Sequence, residues 1–188
     1  MVNGRGQETT LAACRDLARR FPAVRVLVRE EAGWGGAVLL GLGEARGDLL
    51  CYTNSARTTP EELVLMLVYA IAFPTVVVKA NRKIRESWSR RLGSLLYNLE
   101  CRALFDLPTW DVNVTPKVFP RSFDRLLALR RSDDLVDAEF AVACRRQGYP
   151  VIEVPIFSTR RHGGRSTTNL GSALRMYWGA FLLWRELR

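Results

Sequence analysis

Glu31-Ala-Gly-Trp-Gly-Gly-Ala-Val-Leu-Leu-Gly-Leu-Gly-Glu-Ala-Arg-Gly-Asp48 runs straight into Leu49-Leu-Cys-Tyr-Thr-Asn-Ser-Ala-Arg-Thr-Thr-Pro-Glu-Glu-Leu63. The glycine-rich turn at 33–36 opens a helix predicted over 37–45, and Gly47 stops it. Residues 48–52 then read as a short buried strand, and 53–59 as a polar loop. Pro60, followed by Glu61 and Glu62, is a strong helix start: proline has no N–H to lose there, and the acids face the helix dipole. That helix is expected over 60–73, with a buried strand at 75–79 behind Pro74. Helix and strand alternate at short intervals, which predicts an α/β layered domain on a mainly parallel sheet.

The same alternation extends both ways. Leu11, Cys14, Leu17 and Ala18 have helical spacing over 10–20, and 24–28 is a β-branched strand. On the other side, 79–91 is basic and leads into a helix reaching Phe105. Residues 112–119 look extended, 123–129 and 136–147 helical, and 151–157 a strand. An arginine, glycine and serine loop at 160–169 precedes a terminal helix at 170–187. The expected division is an α/β domain at 1–169 and an amphipathic helix at 170–188. That helix suits either a membrane surface, through its aromatic and arginine residues, or packing on the domain. In open α/β sheets ligands gather at the carboxyl ends of strands. The polar segments 53–59, 111–121 and 160–169 are therefore assigned to one functional edge.

The chain has 188 residues, 48% hydrophobic and 25% charged, which excludes disordered, collagen-like and disulfide-scaffold proteins. Its net charge is +9, and only three of its 28 cationic residues are lysines: Lys79, Lys83 and Lys117. Such a chain seeks phosphate groups. Cys14, Cys51, Cys101 and Cys144 are isolated and His162 is the single histidine, so no zinc site is expected. The cysteines read as buried thiols of a reducing, cytoplasmic compartment. Pro74 breaks the most apolar run, and Arg175 and Arg185 interrupt the terminal helix, so neither reads as a membrane span. Arg82, Lys83, Arg85, Arg90 and Arg91 surround Trp88. That pattern suits a membrane surface better than nucleic acid, for which no recognised motif is present.

With these segments in order, the sequence resembles the family 2 glycosyltransferases of GT-A fold, in particular those similar to dolichyl-phosphate mannose synthase. The glycine-rich turn, the Gly47-Asp48 pair and the Pro60-Glu61 helix resemble the family's first motifs. Downstream, Asp111-Val-Asn-Val-Thr-Pro-Lys-Val-Phe-Pro-Arg121 is similar to its D-x-N-x-x-x-K-x-F-x-R segment. Asp137-Ala-Glu139 resembles its D-x-E helix, Gly148-Tyr-Pro-Val-Ile-Glu-Val-Pro155 its G-Y-x-I-x-E-V-P strand, and Arg161-His-Gly-Gly-Arg-Ser166 its R-x-x-G-x-S loop.

The resemblance implies transfer of a sugar from a nucleotide-sugar donor to a lipid-phosphate or other hydroxyl or phosphate acceptor, at the cytoplasmic face of a membrane. It implies catalytic roles for Asp111, Asp137 and Glu139. Glu8, Asn54, Arg57, Lys117, Arg121, Arg161, Arg165 and Ser166 are implied substrate contacts. A carboxylate such as Asp111 is suited to deprotonate an acceptor hydroxyl. Asp137 and Glu139 stand two apart on a helix and cannot share a face, so one is expected at the site and the other as a cap or a solvated group.

Two departures accompany the resemblance. The family's metal-holding D-x-D is here Asn54-Ser55-Ala56, so the Mg2+ or Mn2+ expected for the family lacks its charged oxygen ligands. The stretch 2–10 resembles the end of the family's second strand, so the fold is expected without the family's first strand and helix. Both features also fit an inactive homologue or fragment that binds a lipid phosphate or a partner.

Overall fold

The computed structural model describes residues 2–4, 8–31, 33–82, 88–157 and 170–187. In chain order the elements are β1 (Val2–Gly4), α1 (Glu8–Arg20), β2 (Leu27–Arg29), α2 (Trp34–Glu44), β3 (Leu49–Tyr52), α3 (Pro60–Ala72), β4 (Val77–Arg82), α4 (Trp88–Phe105), β5 (Lys117–Pro120), a 3-10 turn (Asp124–Leu126), α5 (Val136–Gln147), β6 (Val151–Ile156) and α6 (Leu170–Glu186).

Strands β3, β5, β4 and β6 form one sheet in that order, and β1 and β2 form a second, parallel pair. Strands β3, β4 and β6 run in one direction, as the sequence predicts, while β5 runs against both of its neighbours. This mixed sheet agrees with the α/β layering that the resemblance implies. Helix α2 touches strands of both sheets.

Local chemistry explains the helix starts. Thr59 accepts a hydrogen bond from the Glu62 N–H at 3.2 Å, while its own N–H donates to the Glu62 carboxylate at 3.0 Å. This reciprocal capping box satisfies two donors that a helix start otherwise leaves unpaired. Helix α2 begins at Trp34, earlier than predicted, because Gly35 and Gly36 are helical rather than loop. The Gly36 N–H donates to the Ser132 carbonyl at 2.8 Å. A Cβ on Gly35 would stand 2.2 Å from the Asp133 carbonyl oxygen, so the first turn of α2 fits against 131–133 only as glycine.

The sheet is covered on both faces. Val38 and Leu42 of α2 and Val136, Phe140 and Cys144 of α5 pack on Leu50, Tyr52, Val77 and Phe119. Met66 and Ala70 of α3 cover Val78, Ala80, Val118, Val154 and Ile156 on the other face. A further cluster joins α4, α5 and α6 through Tyr97, Cys101, Ala138, Ala141, Ala180 and Leu183. Helices α4 and α6 run parallel: the Tyr177 hydroxyl donates to the Gly93 carbonyl at 2.6 Å, and Phe105 meets Trp184 and Leu187 around one small pocket. No helix among the described residues is long and apolar enough to cross a membrane.

Three local expectations change. The extended segment 112–119 is a strand only from Lys117, and 123–129 holds a single 3-10 turn. Lys79 belongs inside β4 rather than opening a basic loop. Cys14, Cys101 and Cys144 are buried as expected, but Cys51 is exposed, because it alternates with buried Leu50 and Tyr52 on a short strand.

Candidate active site

One row of residues crosses the four-stranded sheet, from the last residue of β3 through the middle of β4 and β6. Tyr52 pairs with Lys117, Lys117 with Lys79, and Lys79 with Glu153. Directly paired residues project to the same face of a sheet. Two lysines therefore stand side by side in the interior, Lys79 at 2% and Lys117 at 0% exposure. Buried charges persist only when matched, and each lysine has its own carboxylate.

Lys117 pairs with Asp137 of α5. The same carboxylate accepts from the Tyr52 hydroxyl at 2.8 Å and from the Trp34 indole N–H at 2.8 Å. The Lys117 ammonium also lies 5.3 Å from the ring centres of both Tyr52 and Phe140. Burial, reinforced by Asp137, pushes the Tyr52 hydroxyl well above the usual tyrosine pKa, so it remains a proton donor.

Lys79 donates to Glu153 at 2.7 Å, to the Trp110 carbonyl and to the Asp111 carbonyl at 3.2 Å. Burial lowers its pKa, while Glu153 beside it works in the opposite direction. Glu153 also accepts from the Trp110 N–H at 2.9 Å. From α4, the Asn98 side-chain oxygen accepts from the Val112 N–H at 2.8 Å. Asp111 sits in this pinned loop with φ 48°, a left-handed conformation that a non-glycine residue adopts only when its surroundings hold it there. Its carboxylate accepts from the Arg82 N–H at 3.2 Å, and the residue is buried at 6% exposure; that bond is to a backbone N–H, where Asp137 meets three side-chain donors. Asp111 therefore precedes β5 by a loop rather than ending a strand, and it stands at the sheet's carboxyl edge beside the last residue of β4.

A family model for glycosyl transferase family 2 matches residues 1–127. The chain belongs to glycosyl transferase family 2. Among solved structures of similar fold is glucosyl-3-phosphoglycerate synthase from Mycobacterium tuberculosis, crystallised with Mn2+, UDP-glucose and phosphoglyceric acid. Its TM-score is 0.71 at 19% identity, over 97% of this chain and 66% of that one. The same enzyme with Mg2+ and UDP gives 0.70 at 18%, over 97% and 66%. A structure described as a mycobacterial protein gives 0.70 at 17%, over 97% and 62%. These identities support likeness of fold, and the chain spans just under two thirds of the length of these structures. A search of curated proteins returns no match. The finer likeness to dolichyl-phosphate mannose synthases rests on the motif order alone.

Against this fold, the residues singled out from sequence divide into groups. Asp111 stands at the carboxyl edge beside Arg82, while Lys117 and Asp137 pair with each other in the interior. Lys117, however, points into the core at Asp137 and presents no cation to a diphosphate outside. Asp137 is 2% exposed and is engaged by three donors, so an acceptor hydroxyl does not reach it in this arrangement. Glu139 faces elsewhere and accepts from the Arg130 N–H at 3.0 Å and the Arg131 N–H at 2.8 Å, tying down the chain that enters α5.

Arg121 is a correction as a substrate contact. It follows the far end of β5, and its guanidinium donates to the Gly47 carbonyl at 2.8 Å and the Ala45 carbonyl, clasping the turn between α2 and β3. Four strand residues separate it from the Lys117 end, about 13 Å. Glu8 is exposed at the start of α1. Arg57 is half-buried in the loop after β3. Arg161, Arg165 and Ser166 lie outside the described residues.

The Asn54 side-chain oxygen accepts from the Ala56 N–H at 3.0 Å, and the Asn54 carbonyl accepts from the Arg57 and Thr58 N–H groups. Asn54 thus closes a local turn, and Ala56 has no ligand atom to offer. A hard divalent cation needs charged oxygens, and no cluster of three or more such groups occurs among the described residues. The residues present do not fit the metal.

The sequence reading missed Trp34, Tyr52, Lys79, Asn98 and Glu153. A lysine inside the apolar run 76–80 and a glutamate between Ile152 and Val154 were the available signal, since charges flanked by strand residues require buried partners.

Proposed function

We propose that this chain provides the transfer domain of a nucleotide-sugar-dependent glycosyltransferase acting on a phosphate-bearing acceptor. The family match over residues 1–127 carries this reading. The Asp111 carboxylate, held at the carboxyl edge of the sheet, supports it by standing where α/β sheets bind ligands. Asp111 takes the proton from the acceptor oxygen as that oxygen attacks the sugar's anomeric carbon, and the nucleoside diphosphate leaves. Asp137 is a positioning residue, holding Lys117, Tyr52 and Trp34 in place beneath the edge. Neutralisation of the leaving diphosphate falls to arginine, with Arg57 the nearest in sequence to the departed metal motif.

The acceptor is the finer part of the proposal. The motif resemblance points to a lipid phosphate, and the neighbouring enzyme was crystallised with phosphoglyceric acid. Both carry a phosphate, and the net charge of +9 suits either. The test is transfer from UDP-glucose and GDP-mannose to a polyprenyl phosphate and to phosphoglycerate, beside calorimetric titration with the free nucleotides. Asp111→Asn is expected to lower turnover at least 100-fold while nucleotide binding stays intact. Absence of both turnover and nucleotide binding overturns the reading.

A second reading has a specific observation behind it. Asn54-Ser55-Ala56 supports a non-catalytic module that retains the fold and binds a phosphate ligand or a partner. Nucleotide binding without turnover on any acceptor selects it.

A further inference from the structure

We infer that the outward face of the α4–α6 pair docks on an anionic lipid bilayer. The inference deepens the lipid-phosphate reading above, but the docking does not depend on transfer chemistry. On α4, Trp88, Leu92, Leu95, Leu96 and Leu99 are all exposed, at the i, i+4, i+7 and i+8 spacing of one helical face. The opposite face, through Tyr97 and Cys101, is in the core. The orientation of α4 is thus fixed by packing, and the leucine stripe is held outward. On the parallel helix beside it, Leu174 and Trp178 stand one turn apart and are also exposed, each at 63%. Trp88 is 75% exposed. Each helix thus presents exposed apolar residues, an indole among them.

The charge around this surface selects its occupant. Arg91 lies one turn from Leu95, and Arg175 and Arg185 lie on α6; all three are exposed. The acids of the two helices are Glu100, half-buried to one side of the stripe, and Glu186 at the end of α6, which pairs with Arg131 at 3.5 Å. Tryptophan and arginine around an apolar stripe match the interface of a bilayer, where indole rings and guanidinium groups sit at headgroup level. A second copy of the chain would bring two surfaces of the same positive sign together, from molecules of net charge +9. An anionic bilayer attracts that charge. Helix α3 shows the contrast: Val64, Val68 and Ile71 are exposed too, but no cation lies between Leu63 and Thr75.

The position is apt for function. Helix α4 begins within six residues of the end of β4, so the docked face lies next to the carboxyl edge that holds Asp111. A phosphate headgroup in the bilayer is thereby near the carboxylate proposed to act on the acceptor.

Cosedimentation with vesicles of phosphatidylcholine, with and without about 30% phosphatidylglycerol, tests this. The parent protein is expected to bind the anionic vesicles at least tenfold more tightly than the neutral ones, and to lose most of that preference at high salt. The double variants Trp88→Gln/Trp178→Gln and Leu95→Gln/Leu99→Gln, all at exposed positions, are each expected to bind at least tenfold more weakly. Val64→Gln/Val68→Gln on α3 is expected to bind within twofold of the parent. No binding to anionic vesicles, or binding as tight as the parent's by the tryptophan and leucine variants, overturns the inference. So does a solution dimer that those variants convert to monomer. Because no donor or acceptor is present, a negative result here leaves the transfer assay to be judged separately.

Discussion

Asp137→Asn separates a structural role for the buried carboxylate from a chemical one. The Asp137 and Lys117 side chains are 3% and 0% exposed. Replacing the carboxylate by an amide leaves the Lys117 ammonium desolvated with no countercharge, and turns an amide N–H₂ toward at least one of the present donors, Tyr52 and Trp34. Removing one partner of a buried ion pair typically costs about 3–5 kcal/mol. For a domain of this size, each kcal/mol lowers the melting temperature by roughly 2–4 °C. The expected loss is therefore about 6–20 °C, with a matching fall in the urea midpoint read by far-UV circular dichroism. The double variant Lys117→Met/Asp137→Leu, which removes both charges and keeps apolar volume, is expected to recover more than half of the loss, since hydrophobic replacement of a buried pair is often neutral or better. A stability for Asp137→Asn within about 1 kcal/mol of the parent, together with a collapse of turnover, would refute the reasoning and return Asp137 to the catalytic role that the resemblance implies.

The two glycine environments of α2 give opposite expectations. Gly35→Ala drives a methyl into the Asp133 carbonyl and is expected to destabilise by several kcal/mol, whereas Gly43→Ala meets nothing within 4 Å and is expected to stabilise by about 1 kcal/mol in thermal melts. One Glu100 oxygen is buried without a hydrogen-bond partner among the described residues, and burial raises its pKa above 4.5. The folded state then holds this proton more tightly than the unfolded one, so Glu100 weakens the fold progressively as pH rises above about 4.5, and Glu100→Gln is expected to raise the melting temperature at pH 7 and to converge with the parent in acid. Asn54→Asp/Ala56→Asp is expected to raise Mn2+ affinity in the presence of UDP at least tenfold in calorimetry; unchanged affinity would show that the loop geometry, and not only its ligand chemistry, has moved away from metal binding.

Much of the fold was legible because its signals are local. Pro60, Glu61 and Glu62 announced α3, and the period of apolar residues marked α1. The separation of Asp137 from Glu139 was also legible, since helical geometry alone sends residues two apart to different faces. What escaped was everything set by pairing between distant segments. Lys79 is followed in sequence by Arg82 and Lys83 and so read as the start of a basic loop. Register with β6 carries β4 on to Arg82, and a glutamate 74 residues away holds Lys79 in the interior. Arg121 looked like a companion to Lys117 because both flank Val118-Phe119. A strand's two ends face opposite edges of the sheet, and no spacing rule reveals which end meets the ligand. The reversal of β5 is equally silent in the sequence, because the long connection from α4 permits either direction.

The loop between α4 and β5 is fastened by Lys79 and Arg82 from one strand, Glu153 from the next and Asn98 from a helix. A loop tied to three separate elements opens only when those elements part, so it belongs to the same cooperative unit as the core. The Asp111 carboxylate is therefore prepaid in conformational entropy: a ligand arriving at the edge meets a group already in place. Mild denaturant should not detach this edge ahead of the sheet. Amide exchange at Val112, whose N–H is held by Asn98, is then set by the stability of the whole domain rather than by local breathing.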